Sequence, residues 1–186
     1  MGIILKVQPA EAELDRWLPD PAISVSHHRR SGADADALWL AARQLRLADT
    51  HLLGRLVRWR IPGVPATGSF EELLRNPPFT VLAETERLLV SGLVGKIWTL
   101  RRDYPAIARE RFCEWSTSGT AKVVLANWVE PVGPGAAVLH SETRVRAYGA
   151  QGRLGLASVR PLVRGFEHLV GADALAAAVQ RAERTS

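Results

Sequence analysis

Apolar and polar positions alternate along several segments of the chain. Ile23, Val25 and His27 alternate with polar neighbours, which predicts a first strand over 23–30. Further alternating or β-branched apolar segments predict four more strands, at 79–84, 88–94, 121–130 and 136–148. Gly133, Pro134 and Gly135 predict a hairpin between the last two strands. The centre of the sequence therefore indicates an antiparallel meander.

Apolar residues at helical spacing occur in two places. After the first strand, Leu38 opens an apolar stripe that predicts a short helix ending near Arg46, and Asp49 caps a second short helix that stops at 61–63. A helical turn is expected at 70–74, whereas 104–113 fits either a helix or an irregular edge. From 152 to 184 a stripe with helical period predicts one long helix, which Pro161 and the glycines are expected to kink or break.

Length and composition indicate one domain. A chain of 186 residues with 47% hydrophobic and 23% charged residues is typical of a globular protein that buries a large core. We expect a single domain over 1–186, with its core at about 22–183 and an N-terminal leader at 1–21. Strands between short helices and a long helix give an α+β fold class.

Charge and cysteine content limit the partners. The net charge of +5 comes mainly from arginines spread along the whole chain, a distribution that does not favour nucleic-acid binding. Cys113 is the only cysteine, so neither an internal disulfide nor a thiolate metal site is expected, and a reducing cytoplasm suits the chain. No apolar run is long enough to cross a bilayer, so no integral membrane contact is expected. The sequence leaves a homodimer open.

Several short motifs stand out along the chain: His28 with 33–35, the pair 38–39, then 47–49, 60–62, 92–95 with Trp98, and 141–145. In this order and spacing they resemble those of the START-like (SRPBCC) superfamily. The chain is similar to an uncharacterised bacterial branch of that superfamily over about 22–183. The resemblance implies a helix-grip fold: a curved antiparallel sheet wrapped around a long C-terminal helix, with two short helices after strand 1. It also implies an internal cavity that holds a small apolar or aromatic ligand.

Two residues are candidates for the wall of such a cavity. Asn127 is the one polar member of the otherwise apolar alternating set at 121–129, so it could hydrogen-bond a ligand or, alternatively, a neighbouring loop or water. Trp98 follows a glycine-flanked strand and offers a flat ring for packing against a ligand, although core packing is the commoner use of tryptophan. Arg60 is a candidate for the cavity mouth or for an ordinary helix-end arginine.

Glu142 and Arg144 form the chemically richest pair. They share one side of the 136–148 strand with His140, and if that side faced the cavity they could bind a carboxylate or act as acid and base. By polarity the same side should face water, and both orientations stay open at this stage. The sequence has neither a G-x-S-x-G elbow nor an H-E-x-x-H pair, so no cofactor is expected.

Three functions are compatible with these observations. The first is a binding protein for a small hydrophobic or aromatic ligand, lipid, polyketide or isoprenoid-like, which needs no catalysis. The second is a cyclase, dehydratase or hydrolase that uses Glu142, Arg144 or His140. The third is a protein-interaction module with a closed core. Fold resemblance alone does not choose among them.

Overall fold

The structure is a computed structural model that describes residues 9–50, 55, 67–99, 103–169 and 173–185. The described strands are β1 (Ile23–Ser31), β2 (Thr80–Thr85), β3 (Leu88–Gly95), β4 (Ala121–Gly133) and β5 (Ala136–Ala147). The described helices are α1 (Pro9–Trp17), α2 (Ala35–Arg43), α3 (Phe70–Arg75), α4 (Arg109–Phe112), α5 (Gly149–Leu169) and α6 (Leu175–Thr185). A 3-10 turn spans Leu47–Asp49.

The strands form one antiparallel sheet in the order β1-β5-β4-β3-β2. β4 and β5 make the predicted hairpin, in which Gly135 adopts a φ of 63°, a left-handed conformation that glycine accepts without strain. β1 returns to the far side of β5, so the first strand in the sequence is an edge of the sheet. The predicted antiparallel sheet and the α+β fold class are confirmed.

The helices that follow β1 begin at strong caps. The Asp34 carboxylate accepts a hydrogen bond from the Ala37 amide at 2.8 Å and starts α2 where the sequence predicts a helix. Ser69 and Glu72 cap α3 reciprocally, which confirms the helical turn expected at 70–74. The second short helix predicted after Asp49 falls mainly on residues 51–66, of which only Arg55 is among the described residues.

The predicted C-terminal helix is present as α5 and α6. Pro161 lies inside α5, which runs on to Leu169, and α6 begins at Leu175. Gly171, one of the residues expected to break the helix, lies outside the described part of the chain.

Both faces of the sheet are covered. We call the face that carries the odd-numbered residues 121–129 of β4 the inner face; it packs against apolar side chains of α2, α5 and α6, such as Leu38, Leu156 and Val179. The outer face carries the even-numbered residues of β4, and it packs against α1 and α4 through Leu14, Trp17 and Phe112. All eight residues of β3 are therefore buried.

The outer layer comes from segments that the sequence left undefined. Leu14 and Leu18 are buried against the sheet, so part of the expected leader contributes to the hydrophobic core, which extends beyond the range 22–183. Within 104–113, which the sequence left as helix or edge, α4 brings the fully buried Phe112 onto β3. A methyl group at Gly92 would lie 2.5 Å from the Phe112 ring, so glycine permits this close approach.

Candidate functional site

The inner face of β4 is less completely covered than its outer face. On the outer side Val124 and Ala126 are fully buried, whereas Leu125 and Asn127 on the inner side keep part of their surface accessible. β4 is the central strand, so accessible side chains at its middle indicate a hollow between the sheet and the helices that cover the inner face. Asn127 lies where the alternation of the sequence predicts it.

Two buried hydroxyl groups flank Leu125 on this inner face. The strand register pairs Leu125 with Ser91 of β3 on one side and with Thr143 of β5 on the other. Ser91 is 0% exposed and Thr143 is 4% exposed, and neither Ser91 Oγ nor Thr143 Oγ1 has a hydrogen-bond partner among the residues that the structure describes. Since buried polar groups in folded proteins are nearly always partnered, these two hydroxyls are exceptional.

A second polar pair lies one row further along the strands. Asn127 is in register with Ser141 of β5 and with Leu89 of β3. Strands are about 4.8 Å apart and same-face residues about 7 Å apart along a strand, so all four polar side chains lie within an area of about 10 by 7 Å. We call Ser91, Asn127, Ser141 and Thr143 the inner polar group.

The side chains of the inner polar group can form hydrogen bonds but carry no charge. Hydroxyl and amide groups donate and accept hydrogen bonds but do not change charge near neutral pH. Their neighbours on the same face are apolar, including Leu93, Val123 and Val145. An apolar surface with a few placed polar groups is the usual composition of a small-molecule site.

Trp98 lies at the border of this inner core, packed on α5. A methyl group at Gly155 would lie 2.4 Å from Cδ2 and Cε2 of the Trp98 indole, so the absence of a side chain lets the ring rest on the helix. Trp98 is partly exposed and packs against the inner core. Its contact with a ligand stays a prediction.

Glu142 and Arg144 lie on the outer face, away from the inner polar group. Alternation along β5 puts Val145 in the inner core, so even-numbered residues point to the other side. Arg144 Nε donates to Glu142 Oε1 at 2.7 Å and Arg144 Nη1 to Asp15 of α1 at 2.5 Å, while the Ser24 hydroxyl donates to Glu142 at 3.2 Å. The structure thus excludes the cavity-facing orientation, one of the two that the sequence left open for this pair.

The pair also differs from a solvated surface pair. The side chains of Arg144 and Glu142 are only 12% and 11% exposed, because α1 covers them. Burial is the largest single influence on the pKa of Arg144 and lowers it. Hydrogen bonds to Asp15 and Glu142, with their charges, together outweigh burial, so the pKa lies above its usual value. The sequence missed this arrangement because it assigned no structure to α1.

His140 shares the outer face and stacks on Trp128. The two rings are 4.7 Å apart and 3° from parallel, and His140 Nε2 lies 3.5 Å from a carboxylate oxygen of Glu130, too far for a strong hydrogen bond. Burial lowers the pKa of His140, and this effect outweighs that of Glu130, which raises the pKa. Arg60, the remaining site candidate, lies outside the described residues.

Lys122 is a buried cation that sequence reasoning did not single out. On the outer face, its Nζ donates to the Cys113 carbonyl at 2.7 Å and lies 5.5 Å from the centre of the Phe112 ring. Burial lowers the pKa of the ammonium group. These contacts attach the segment around α4 to the sheet and give Lys122 a structural role.

Ser91 and Thr143 were missed for a different reason. Both are short hydroxyl side chains inside predicted strands, and nothing in the spacing distinguishes a hydroxyl that faces a hollow from one that bonds a neighbouring strand. The available signal was weak: Thr143 belongs to the same alternating set as Leu139 and Val145, which polarity places toward the core.

Two kinds of site are not found in the described part of the chain. No group of three or more histidine, cysteine, aspartate or glutamate side chains within 9–50, 67–99, 103–169 and 173–185 is arranged to hold a metal ion. Among the same described residues, no helix combines the length and the apolar character required to cross a bilayer.

The chain matches no protein-family model and no curated protein. It is similar to a solved structure of truncated norcoclaurine synthase from Thalictrum flavum, with 14% identity, a TM-score of 0.41, and coverage of 88% of this chain and 92% of that chain. It is also similar to a hypothetical protein of Helicobacter pylori, with 13% identity, a TM-score of 0.43, and coverage of 90% and 93%.

A third similar structure is the Zhui aromatase/cyclase of a Streptomyces species, with 15% identity, a TM-score of 0.34, and coverage of 87% of this chain and 94% of that chain. The strand β1, the short helix α2, the antiparallel strands β2 to β5 and the C-terminal helices α5 and α6 follow one another in the order that the sequence predicted.

Proposed function

We propose that this protein binds a small, largely apolar ligand, aromatic or lipid-like, in the hollow on the inner face of its sheet. The observation that supports the proposal is the partial accessibility of Leu125 and Asn127 on the inner side of β4, whereas Val124 and Ala126 on its outer side are fully buried. The Asn127 amide would hydrogen-bond a hydroxyl or carbonyl group of the ligand, and the apolar part of the ligand would contact Leu125 and the surrounding inner core.

Proton transfer is not expected of the inner polar group. None of its four side chains titrates near neutral pH, so none is suited to proton transfer without an activating base. The titratable residues that the sequence singled out, Glu142 and His140, lie on the outer face. Binding without chemistry is therefore the function that the described geometry favours.

The test uses an uncharged fluorescent dye, N-phenyl-1-naphthylamine, with the full-length protein. We expect saturable fluorescence enhancement with one dye per chain. Leu125→Trp, which fills the hollow, should abolish the enhancement, whereas Leu154→Trp, at a position 74% exposed on α5, should not change it. Equal binding by the two variants, or no binding by the wild type, would contradict an accessible hollow.

The polar part of the proposal has its own measurement. Mass spectrometry of a denaturing extract of the mildly purified protein should show a stoichiometric small molecule with at least one hydroxyl or carbonyl group. Asn127→Leu should reduce the occupancy of that molecule while leaving dye binding intact, because it removes hydrogen bonds and keeps an apolar side chain of similar size in the wall. Retention of full occupancy in Asn127→Leu would exclude the Asn127 amide as a ligand contact.

A further inference from the structure

A separate open cleft lies where α5 crosses the end of the sheet. Its volume is about 390 Å³, at the lower end of the range for small-molecule sites. Ile23 of β1, Ala147 of β5 and Leu156 of α5 form an apolar floor. None of the inner polar group lines this cleft, so it is distinct from the hollow described above.

The charged residues around the cleft are mainly arginines. Arg146, Arg153 and Arg160 line it, against a single carboxylate, Asp20, among the described lining residues. Arg153 and Arg160 are seven residues apart on α5, which puts them on the same side of the helix about 10 Å apart. The three guanidinium groups and one carboxylate leave two uncompensated positive charges over an apolar floor.

The Asp20 carboxylate neutralises the charge of Arg146 only weakly. Arg146 Nη1 lies 3.8 Å from Asp20 Oδ2, and the two side chains are 41% and 87% exposed, so water screens this contact. The guanidinium of Arg146 also lies over the Tyr148 ring at 5.9 Å, which supports its position at the rim. Arg153 and Arg160 have no ion-pair partner within the part of the chain that the structure describes.

From this juxtaposition we infer that the cleft binds a small amphipathic anion, a carboxylate or phosphate attached to a short apolar group. Guanidinium groups match the geometry of both anions because their N–H donors form paired hydrogen bonds. The apolar floor receives the rest of the molecule. The inference does not depend on the proposed ligand of the inner hollow, because the cleft is lined by none of the inner polar group.

The test compares eight-carbon probes and inorganic phosphate by titration calorimetry on the full-length protein carrying Leu125→Trp, in which the inner hollow is filled. We expect octanoate to bind with one site per chain, and octan-1-ol, octylamine and inorganic phosphate each to bind at least about tenfold more weakly, since each lacks one of the two required parts. The octanoate affinity should fall with added sodium chloride, because the arginines are exposed. Octan-1-ol binding as tightly as octanoate would overturn the inference.

Matched variants locate the site. Arg153→Gln and Arg160→Gln should each weaken octanoate binding about threefold, and the double variant about tenfold. Arg30→Gln removes the same charge at an exposed position near the other end of β1, and it should leave the affinity unchanged. Equal losses in Arg30→Gln and Arg153→Gln would show a nonspecific effect of net charge and would overturn the site.

Two further outcomes distinguish the cleft from the inner hollow and from a membrane-binding surface. Wild type and Leu125→Trp should bind octanoate equally; a loss in Leu125→Trp would place octanoate in the inner hollow and refute the cleft. If octanoate does not bind but vesicles of anionic phosphatidylglycerol do, in a manner that depends on Arg153 and Arg160, the surface would serve a membrane and the small-anion site would be refuted.

Discussion

The contact between Gly155 and Trp98 predicts that alanine at position 155 does not stabilise the protein, whereas alanine at position 165, the control, does. Gly155→Ala places a methyl group 2.4 Å from two ring atoms, and carbon atoms in favourable contact are about 3.5–4.0 Å apart, so the indole must move by about 1 Å or more. Gly165 lies in the same helix, and no described residue comes within 4 Å of a methyl group added there. The two substitutions therefore differ in packing and share their effect on helix propensity.

The expected magnitudes follow from those two contributions. Alanine is favoured over glycine inside a helix by about 0.5–1 kcal/mol, so Gly165→Ala should stabilise the protein by about that amount. Overpacking adds a cost of about 1–3 kcal/mol at Gly155, so Gly155→Ala should be neutral or destabilising by up to about 2 kcal/mol. The difference corresponds to about 2–12 °C in Tm for a domain of this size.

The measurement is urea unfolding of both variants, followed by a double-mutant cycle with Trp98→Ala. In the Trp98→Ala background the clash is absent, and Gly155→Ala should then stabilise as Gly165→Ala does. If Gly155→Ala stabilises the protein as much as Gly165→Ala while Trp98 is present, the ring does not rest on α5, and the packing of Trp98 against Gly155 is refuted.

Three further predictions concern the outer face. Leu14→Ala, which opens a cavity between α1 and the sheet, should cost about 2–5 kcal/mol in the free energy of unfolding; a loss below about 0.5 kcal/mol would show that α1 does not pack there. Arg144→Met should cost about 2–3 kcal/mol because it leaves the Glu142 carboxylate buried without its partner, and adding Glu142→Gln should restore part of that loss. Dye binding in the hollow should be unaffected by either change. Because burial lowers the pKa of His140, the unfolded chain takes up a proton at about pH 6.5 while the folded chain does not, so stability should fall as the pH decreases below 6.5. His140→Phe should keep the stacking and remove that part of the fall; an unchanged pH profile would contradict burial of a neutral imidazole.

The sequence predicted the inner half of the fold well, because alternation of apolar and polar residues is a direct consequence of strand geometry. The β4–β5 hairpin, the cap at Asp34 and the inward position of Asn127 all follow from local pattern. These features depend on neighbours close in the sequence, and for that reason a single chain specifies them.

The outer half could not be predicted in the same way. The residues of α1 are polar on average, and the burial of its apolar residues depends on contacts with β4 and β5, more than 100 residues away. The Glu142–Arg144 pair was expected in the cavity or in water, and α1 creates a third environment, a covered outer face, that no local pattern indicates. The position of Ser91 beside Leu125 likewise depends on the register between β3 and β4, which a long connection separates in the sequence.

The position of β1 at the edge beyond β5 restricts the order of folding during synthesis. Ile23 pairs with Val145, and Asp15 bonds to Arg144, so the N-terminal segment has its partners only after the last strand has been made. A ribosome-bound chain that ends before β5 leaves α1 and β1 without their native neighbours, and these long-range contacts slow folding because loop closure precedes their formation. Until β5 has been made, the apolar residues of α1 and β1 therefore lack the native contacts that bury them.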